Sequence, residues 1–236
     1  VESSSTEIIA MHRLLYPVIS SLSMITEAVI LAGGLGTRLL PMTETQPKPL
    51  VAFQGSTIIE VILHLLRRQG IVKATLCVGY LGKMIENHLG DGHRFGMEFT
   101  YSYDKELLGT GGALAKSSRP CGTFLLVNAD VLYDFDLFKA YESHKKSEAL
   151  ATVLLTKVPD PSRYAAVALD GDLVTSFVMR PKSGEASTNL VSSGYCILEP
   201  EIFDHFPEGK FSLEYDIYPK LAIKRKINSY LSSGAW

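Results

Sequence analysis

Two cations and a carboxylate stand where this sequence invites chemistry. The stretch AVILAGGLGTRLLPMTETQPKPLVAF, residues 28–53, leaves an apolar segment through Gly33, Gly34 and Gly36, passes Thr37 and Arg38, and reaches Lys48 between Pro47 and Pro49. Glycines at a strand end let the backbone approach a ligand closely, and successive free N–H groups then cradle an anion. The glycines alone would equally serve a tight strand-to-helix turn. Arg38 tips the balance, because a guanidinium beside a backbone nest suits a polyphosphate. The flanking prolines stiffen the chain around Lys48. A surface lysine gains nothing from that stiffness, whereas a lysine aimed at phosphate gains preorganisation. Two familiar glycine motifs are excluded: Leu39 stands where a dinucleotide fingerprint needs its third glycine, and no Gly-Lys-Ser/Thr follows. The carboxylate is Asp130, at the end of LLVNAD (125–130). A carboxylate just past an apolar strand is costly to bury unless it is paired or metal-bound, although it could also cap the next turn. Asp136 reads as the cap of the following helix.

The elements that must position these groups alternate. Apolar, β-branched runs recur at 28–32, 74–80 (ATLCVGY), 97–103, 123–130 and 150–158. Helical periodicity fills 56–70, with Ser56 or Thr57 as cap and Gly70 as stop, and then 82–90, 109–118 and 136–147. This order predicts an α/β fold, a Rossmann-like mixed, mostly parallel sheet flanked by helices. Ligands of such sheets collect beyond the carboxyl ends of the strands. After about Pro159 the strands shorten (AAVAL, LVTSFVM, GYCIL), and one late helix is expected over 213–223. This reads as a substrate-facing half built onto the first half without a linker.

The bounds narrow the function classes. The 236 residues carry 23 Lys and Arg against 25 Asp and Glu, a net charge of −2, so no basic surface advertises nucleic acid or an anionic membrane. No apolar run approaches a membrane span. Cys77, Cys121 and Cys196 lie far apart without CxxC spacing, which reads as reduced thiols in a cytoplasmic protein. The six histidines show no metal spacing. Residues 6–24 carry apolar positions at helical spacing broken by Pro17, so 1–25 is expected to be an N-terminal helical extension that packs or makes a homo-oligomer contact.

The paired motifs resemble the signature of the sugar-1-phosphate nucleotidylyltransferases, also called sugar-nucleotide pyrophosphorylases. Leu31 to Leu39, Pro41, Thr43 and Pro47-Lys48-Pro49 match its A-G-G-x-G-T-R-L-x-P-L-T and P-K-P pattern. LLGTGGAL (107–114) resembles the family's L-G-T-[AG]-G-A loop, and LLVNAD resembles the strand whose aspartate binds the catalytic metal. The resemblance covers nearly all of 26–236 and implies transfer of a nucleotidyl group from a nucleoside triphosphate to a sugar 1-phosphate, with release of pyrophosphate. It implies Arg38, Lys48, Asp130 and Arg180 as catalytic groups, with Mg²⁺ on Asp130. It further implies nucleotide contacts from Leu31, Ala32, Gly33, Gly34, Gly36, Thr37, Gly79, Gly109 and Thr110, and sugar contacts from Gly112, Asn128, Gly194 and Glu214. The attacking phosphate is already an anion, so alignment and charge stabilisation are needed rather than a general base.

The second half departs from the pattern. FVMRP (177–181) falls where the family has F-x-E-K-P: Arg180 keeps the charge and Met179 loses the carboxylate. Ser192 replaces the asparagine of N-x-G-x-Y, with Gly194 retained, while SLEYDIYPKLA (212–222) keeps Glu214 and Asp216 in register. YLSSGAW (230–236) resembles the run into W-x-D-I-G-T-P, whose aspartate is the second metal ligand, so the catalytic domain is expected to be cut short at its C-terminal end. The loop at 107–114 looks closest to guanylyltransferases acting on mannose or manno-heptose 1-phosphate; residues 85–102 also resemble members that use UTP or dTTP. A non-catalytic paralogue that binds sugar nucleotide is the alternative from another class, favoured by Met179 and Ser192 and opposed by Arg38, Lys48 and Asp130.

Overall fold

The computed structural model describes residues 25–36, 41–182 and 184–236. The N-terminal helix expected from the sequence, as well as Thr37, Arg38 and Leu39, lies outside them.

Nine strands form one sheet: β1 (Glu27–Leu31), β2 (Lys73–Val78), β3 (Glu98–Tyr103), β4 (Phe124–Asn128), β5 (Ala151–Lys157), β6 (Ala165–Asp170), β7 (Leu173–Met179), β8 (Leu190–Leu198) and β9 (Ile227–Leu231). Their order is β3-β2-β1-β4-β8-β5-β9-β7-β6. The first four are parallel neighbours. β8 runs antiparallel to β4 and β5, β5 and β9 are parallel, and β7 is antiparallel to β9 and β6. The sheet is therefore mixed and mostly parallel, with β7 and β8 reversed. Both halves of the chain belong to it.

Alternation along the strands separates two apolar layers. Ala28, Ile30, Leu76, Leu125 and Val127 face one layer, and Val29, Cys77, Phe124 and Leu126 face the other. The first layer is covered by α1 (Ile58–Arg68), α2 (Gly82–Leu89) and α4 (Leu137–Ser147), and the second by α3 (Gly109–Lys116) and α5 (Tyr218–Ile223). Covered on both faces, β4 is buried from Phe124 to Val127 rather than alternately exposed.

Local chemistry sets the helix bounds. Thr57 caps α1 in a reciprocal box with Glu60, and Ile59, Ile62, Leu63 and Leu66 form its buried stripe. Asp136 caps α4 by accepting from Lys139 N–H at 3.0 Å, as the sequence implied. The late helix is split: a π turn at Leu213–Ile217 precedes α5. β9 was missing from the strands read from sequence, because its buried interior holds Asn228 and Ser229 and breaks the apolar pattern.

Candidate active site

A cavity of about 710 Å³ opens beyond the carboxyl ends of β1, β2, β3 and β4. Of the residues named from sequence it brings together Leu31, Ala32, Gly33, Gly34, Gly36, Lys48, Gly79, Gly109, Thr110, Asn128 and Asp130.

Each wall has a local cause. Ala32 N–H donates to Cys77 O at 2.8 Å, and Ala129 N–H donates to Leu31 O at 3.1 Å. These bonds extend the ladders past the strands and bring the glycine loop beside Asp130. Gly33 and Gly79 meet backbone to backbone: a Cβ on Gly79 would lie 3.0 Å from Gly33 O. Gly36 has φ of +63°, and a Cβ there would stand 2.9 Å from Thr43 Cγ2 and 3.2 Å from Lys48 Cβ. The loop is thus wedged against the lysine, and Thr43 Oγ1 donates to Gly36 O at 2.9 Å. Pro47 is extended, and Lys48–Leu50 forms a 3-10 turn closed by Leu50 N–H to Pro47 O at 2.9 Å, with Pro49 and Leu50 buried. The stiffness expected around Lys48 is present. Its ammonium bonds Asp130 Oδ2 at 2.6 Å, although the sequence positions are 82 apart. Beneath Asp130, Tyr195 OH donates to Val131 O at 2.9 Å, and Tyr133, Phe135 and Tyr195 pack as an aromatic group with centroids 5.3–5.6 Å apart.

Residues 27–236 match the nucleotidyl transferase family. The chain belongs to that family. Among curated relatives, the UTP–glucose-1-phosphate uridylyltransferase of Synechocystis sp. is 34% identical over 212 residues, 83% of this chain and 55% of the relative. The mannose-1-phosphate guanylyltransferase catalytic subunit beta of Drosophila pseudoobscura pseudoobscura is 33% identical over 217 residues, 89% of this chain and 58% of the relative. This nucleotidyl transferase domain thus spans less than two thirds of the length of either. Among solved structures, HddC from Yersinia pseudotuberculosis superposes with a TM-score of 0.75 at 28% identity, covering 89% of this chain and 92% of the other.

Four residues singled out from sequence do not line the transferase's cavity. Gly112 is buried, and its N–H and that of Gly111 both donate to Phe211 O at 3.2 Å. Two of the first four amides of the glycine-rich α3 are therefore spent on the protein. Glu214 accepts from Thr110 Oγ1 at 2.6 Å and Ser212 Oγ at 2.7 Å, so it fixes a cavity residue from behind. Gly194, with φ of +88°, abuts Asn128, since a Cβ there would lie 2.9 Å from Asn128 Nδ2. Arg180 is exposed at the end of β7 with φ of +49°, its N–H donating to Tyr164 O at 2.8 Å. β6 pairs with β7 at Ala165 and Met179, beside Arg180, and also pairs with β8 at Ala166 and Val191, and β8 in turn borders β4.

Other lining residues were not read from sequence: Leu35, Tyr80 and residues 104–106 after β3. Their signal was positional. Asp104 follows an apolar strand just as Asp130 does, without a motif to mark it. Cys77 also lines the cavity, but burial and the nearby Asp104 push its thiol up to about 12, so it remains unreactive.

Among the described residues no group of three or more His, Cys, Asp or Glu is placed to share a metal ion. Asp130 offers hard oxygens, is about a third exposed, and already neutralises a cation. Such a donor suits a divalent ion that draws most of its shell from phosphate and water. No described helix is long and apolar enough to cross a membrane.

Proposed function

We propose that this domain catalyses nucleotidyl transfer from a nucleoside triphosphate, GTP favoured, to a sugar 1-phosphate of mannose or manno-heptose type, giving a nucleoside diphosphate sugar and pyrophosphate. The observation that carries this reading is the Lys48–Asp130 pair at 2.6 Å, held against the glycine loop at the mouth of one cleft. A phosphate-directed cation, a metal-type carboxylate and a backbone nest, far apart in sequence, meet where a triphosphate would lie. A binding module needs the nest but not that pair.

In this reaction a sugar phosphate oxygen attacks the α-phosphorus, the bond from the α-phosphorus to the bridging oxygen breaks, and the electron pair leaves on pyrophosphate. The loop 33–36, with Arg38, holds the β- and γ-phosphates. Lys48 turns from Asp130 to neutralise the approaching phosphate charges. Asn128, backed by Gly194, and Thr110, fixed by Glu214, face the sugar and ribose sides. Bound on Asp130, Mg²⁺ would supply Lewis-acid stabilisation of the same charge. Arg180, exposed at the end of β7, would offer a further cation to the sugar phosphate.

The UTP- or dTTP-dependent version of this reaction is the second reading, supported by the uridylyltransferase relative at 34% identity. Cys77 and Cys196, buried and unpaired, support a cytoplasmic setting. The test is pyrophosphate release across GTP, UTP, dTTP, ATP and CTP with a panel of sugar 1-phosphates. Release with GTP and a manno-configured sugar is expected; no release with any pair would refute the transfer reading.

A further inference from the structure

Asp130 sits on a turn whose flanking peptide groups are pinned from neighbouring strands. Ala129 N–H donates to Leu31 O of β1 at 3.1 Å, and Val131 N–H closes the turn on Asn128 O at 3.3 Å. The Val131 carbonyl is held from β8, where Tyr195 OH donates to it at 2.9 Å. β8 reaches the turn at two consecutive residues, since Gly194 abuts Asn128 and Tyr195 lies in register with Val127. Side chains alternate along a strand, so Tyr195 points into the first apolar layer and Cys196 into the second. In the N-x-G-x-Y pattern Cys196 stands at the tyrosine, and Tyr195 occupies the unspecified place before it. Its hydroxyl is thus an addition to the pattern rather than part of it. Tyr195 is buried, and its ring packs against Tyr133 and Phe135 at 5.6 and 5.5 Å. Burial and the nearby Asp130 carboxylate raise the hydroxyl well above the usual tyrosine value, so it stays protonated and donates at neutral pH.

We propose that Tyr195 is a positioning residue for the transfer: through the Val131 carbonyl it fixes where the Asp130 carboxylate stands relative to Lys48 and to a divalent ion. The inference rests on the transfer reading above and adds the group that sets the carboxylate in place. The Tyr195 hydroxyl is not among the groups that line the cleft, so it acts on the reaction only through Asp130. Ala129 N–H holds the chain before Asp130 and Tyr195 holds it after, so the carboxylate rides on a segment fixed at both ends. Releasing the second hold lets the peptide planes after Asp130 turn. A shift of about 1 Å at a reacting group costs up to about a hundredfold in rate. Partners behind a metal ligand likewise set roughly a ten- to hundredfold share of metal affinity or activity. Tyr133 supplies the contrast. It is equally buried in the same aromatic group, but its hydroxyl donates to Leu155 O of β5 at 2.7 Å, not to the Asp130 turn.

The test compares the parent, Tyr195→Phe and Tyr133→Phe, with Asp130→Asn as the baseline. Mn²⁺ binding is read by electron paramagnetic resonance, and pyrophosphate release is read with GTP or UTP, each with mannose 1-phosphate and glucose 1-phosphate. Tyr195→Phe is expected to bind Mn²⁺ roughly tenfold more weakly than the parent and to lose roughly tenfold in kcat, with KM for the nucleotide unchanged. Tyr133→Phe is expected to match the parent in both. Parent Mn²⁺ affinity in Tyr195→Phe would overturn the proposal. Equal losses in the two variants would do the same, by making the hydroxyls a shared structural brace. A raised KM with kcat retained would place Tyr195 in substrate binding and overturn it as well. If Tyr195→Phe does not fold, replacing Leu132 by its α-hydroxy acid makes the Val131 carbonyl an ester, a weaker acceptor, with the ring untouched. The same losses are expected there, and parent behaviour would overturn the proposal. Weakened Mn²⁺ binding in Tyr195→Phe without pyrophosphate release by any chain would refute the transfer reading and leave the positioning of Asp130 standing. Mn²⁺ binding by the parent no tighter than by Asp130→Asn would refute the positioning, and pyrophosphate release would then keep the transfer reading alone.

Discussion

Replacing Lys48 by Met separates a structural lysine from one that works on substrate. At 2.6 Å the Lys48–Asp130 attraction has a gross Coulomb value of about 1.6 kcal/mol in bulk water and about 6 kcal/mol at an effective dielectric of about 20. The side chains are 25% and 37% exposed, so solvent screening and side-chain entropy reduce the net contribution to about 0–1 kcal/mol. Methionine keeps most of the packing against Gly36 and loses the charge. Lys48→Met should therefore shift the denaturant midpoint by no more than about 1 kcal/mol. Turnover should fall by about a hundredfold or more, because a preorganised donor to developing phosphate charge is gone. Freed of its counter-ion, Asp130 should also bind Mn²⁺ more tightly without nucleotide, read directly by electron paramagnetic resonance. Chemical denaturation, steady-state pyrophosphate release and the Mn²⁺ titration form one experiment. A loss of about 3 kcal/mol or more, the size seen when a buried pair is broken, would make the pair a structural brace. Unchanged turnover would remove Lys48 from the reaction.

Other outcomes follow from single contacts. Arg38→Ala should lower turnover about a hundredfold with little change in stability, by loss of a donor to the leaving pyrophosphate; equal rates in paired assays would sink the phosphate role. Gly109→Ala should destabilise by about 3 kcal/mol, since φ is +77° and the new Cβ would lie 2.4 Å from Phe211 O; an unmoved thermal midpoint would contradict the contact. Burial pushes the Glu60 carboxyl up, but hydrogen bonds from Ser56 and Thr57 outweigh it and hold the group at about 2. Because the folded value is depressed, the stability it contributes is present above about pH 4.5 and drains away as pH falls toward 2; Glu60→Gln should flatten thermal midpoint against pH over that window. Arg180→Ala should weaken every sugar 1-phosphate alike by about tenfold, through loss of an exposed guanidinium donor to phosphate; unchanged efficiency would remove Arg180 from the reaction.

The first half was legible because each element carried its own mark. β1, β2 and β4 read as apolar runs, α1 and α4 announced themselves by Thr57 and Asp136, and the glycine loop and Pro47-Lys48-Pro49 motif named the cleft. What remained hidden depends on contacts between distant segments. No local pattern shows that Phe211 O meets the amides of Gly111 and Gly112, or that buried Asn228 bonds Ser143 and Thr152. The setting of Arg180 is hidden for a related reason: its motif fixes a residue type, whereas its surroundings depend on the pairing of β6 with both β7 and β8.

The Phe211 carbonyl has a consequence for how a ligand is oriented. A helix start is ordinarily a positive pole that captures anions. In α3 two of the amides that make up that pole are occupied, and Asp104 and Glu106 flank its approach. Part of the anion-binding capacity at the start of α3 is thus already used, while Lys48 stands beside the loop from Gly33 at the other side of the cleft. A molecule with one anionic tail and one neutral head therefore meets two unlike sets of donors, which favours one way round over the other.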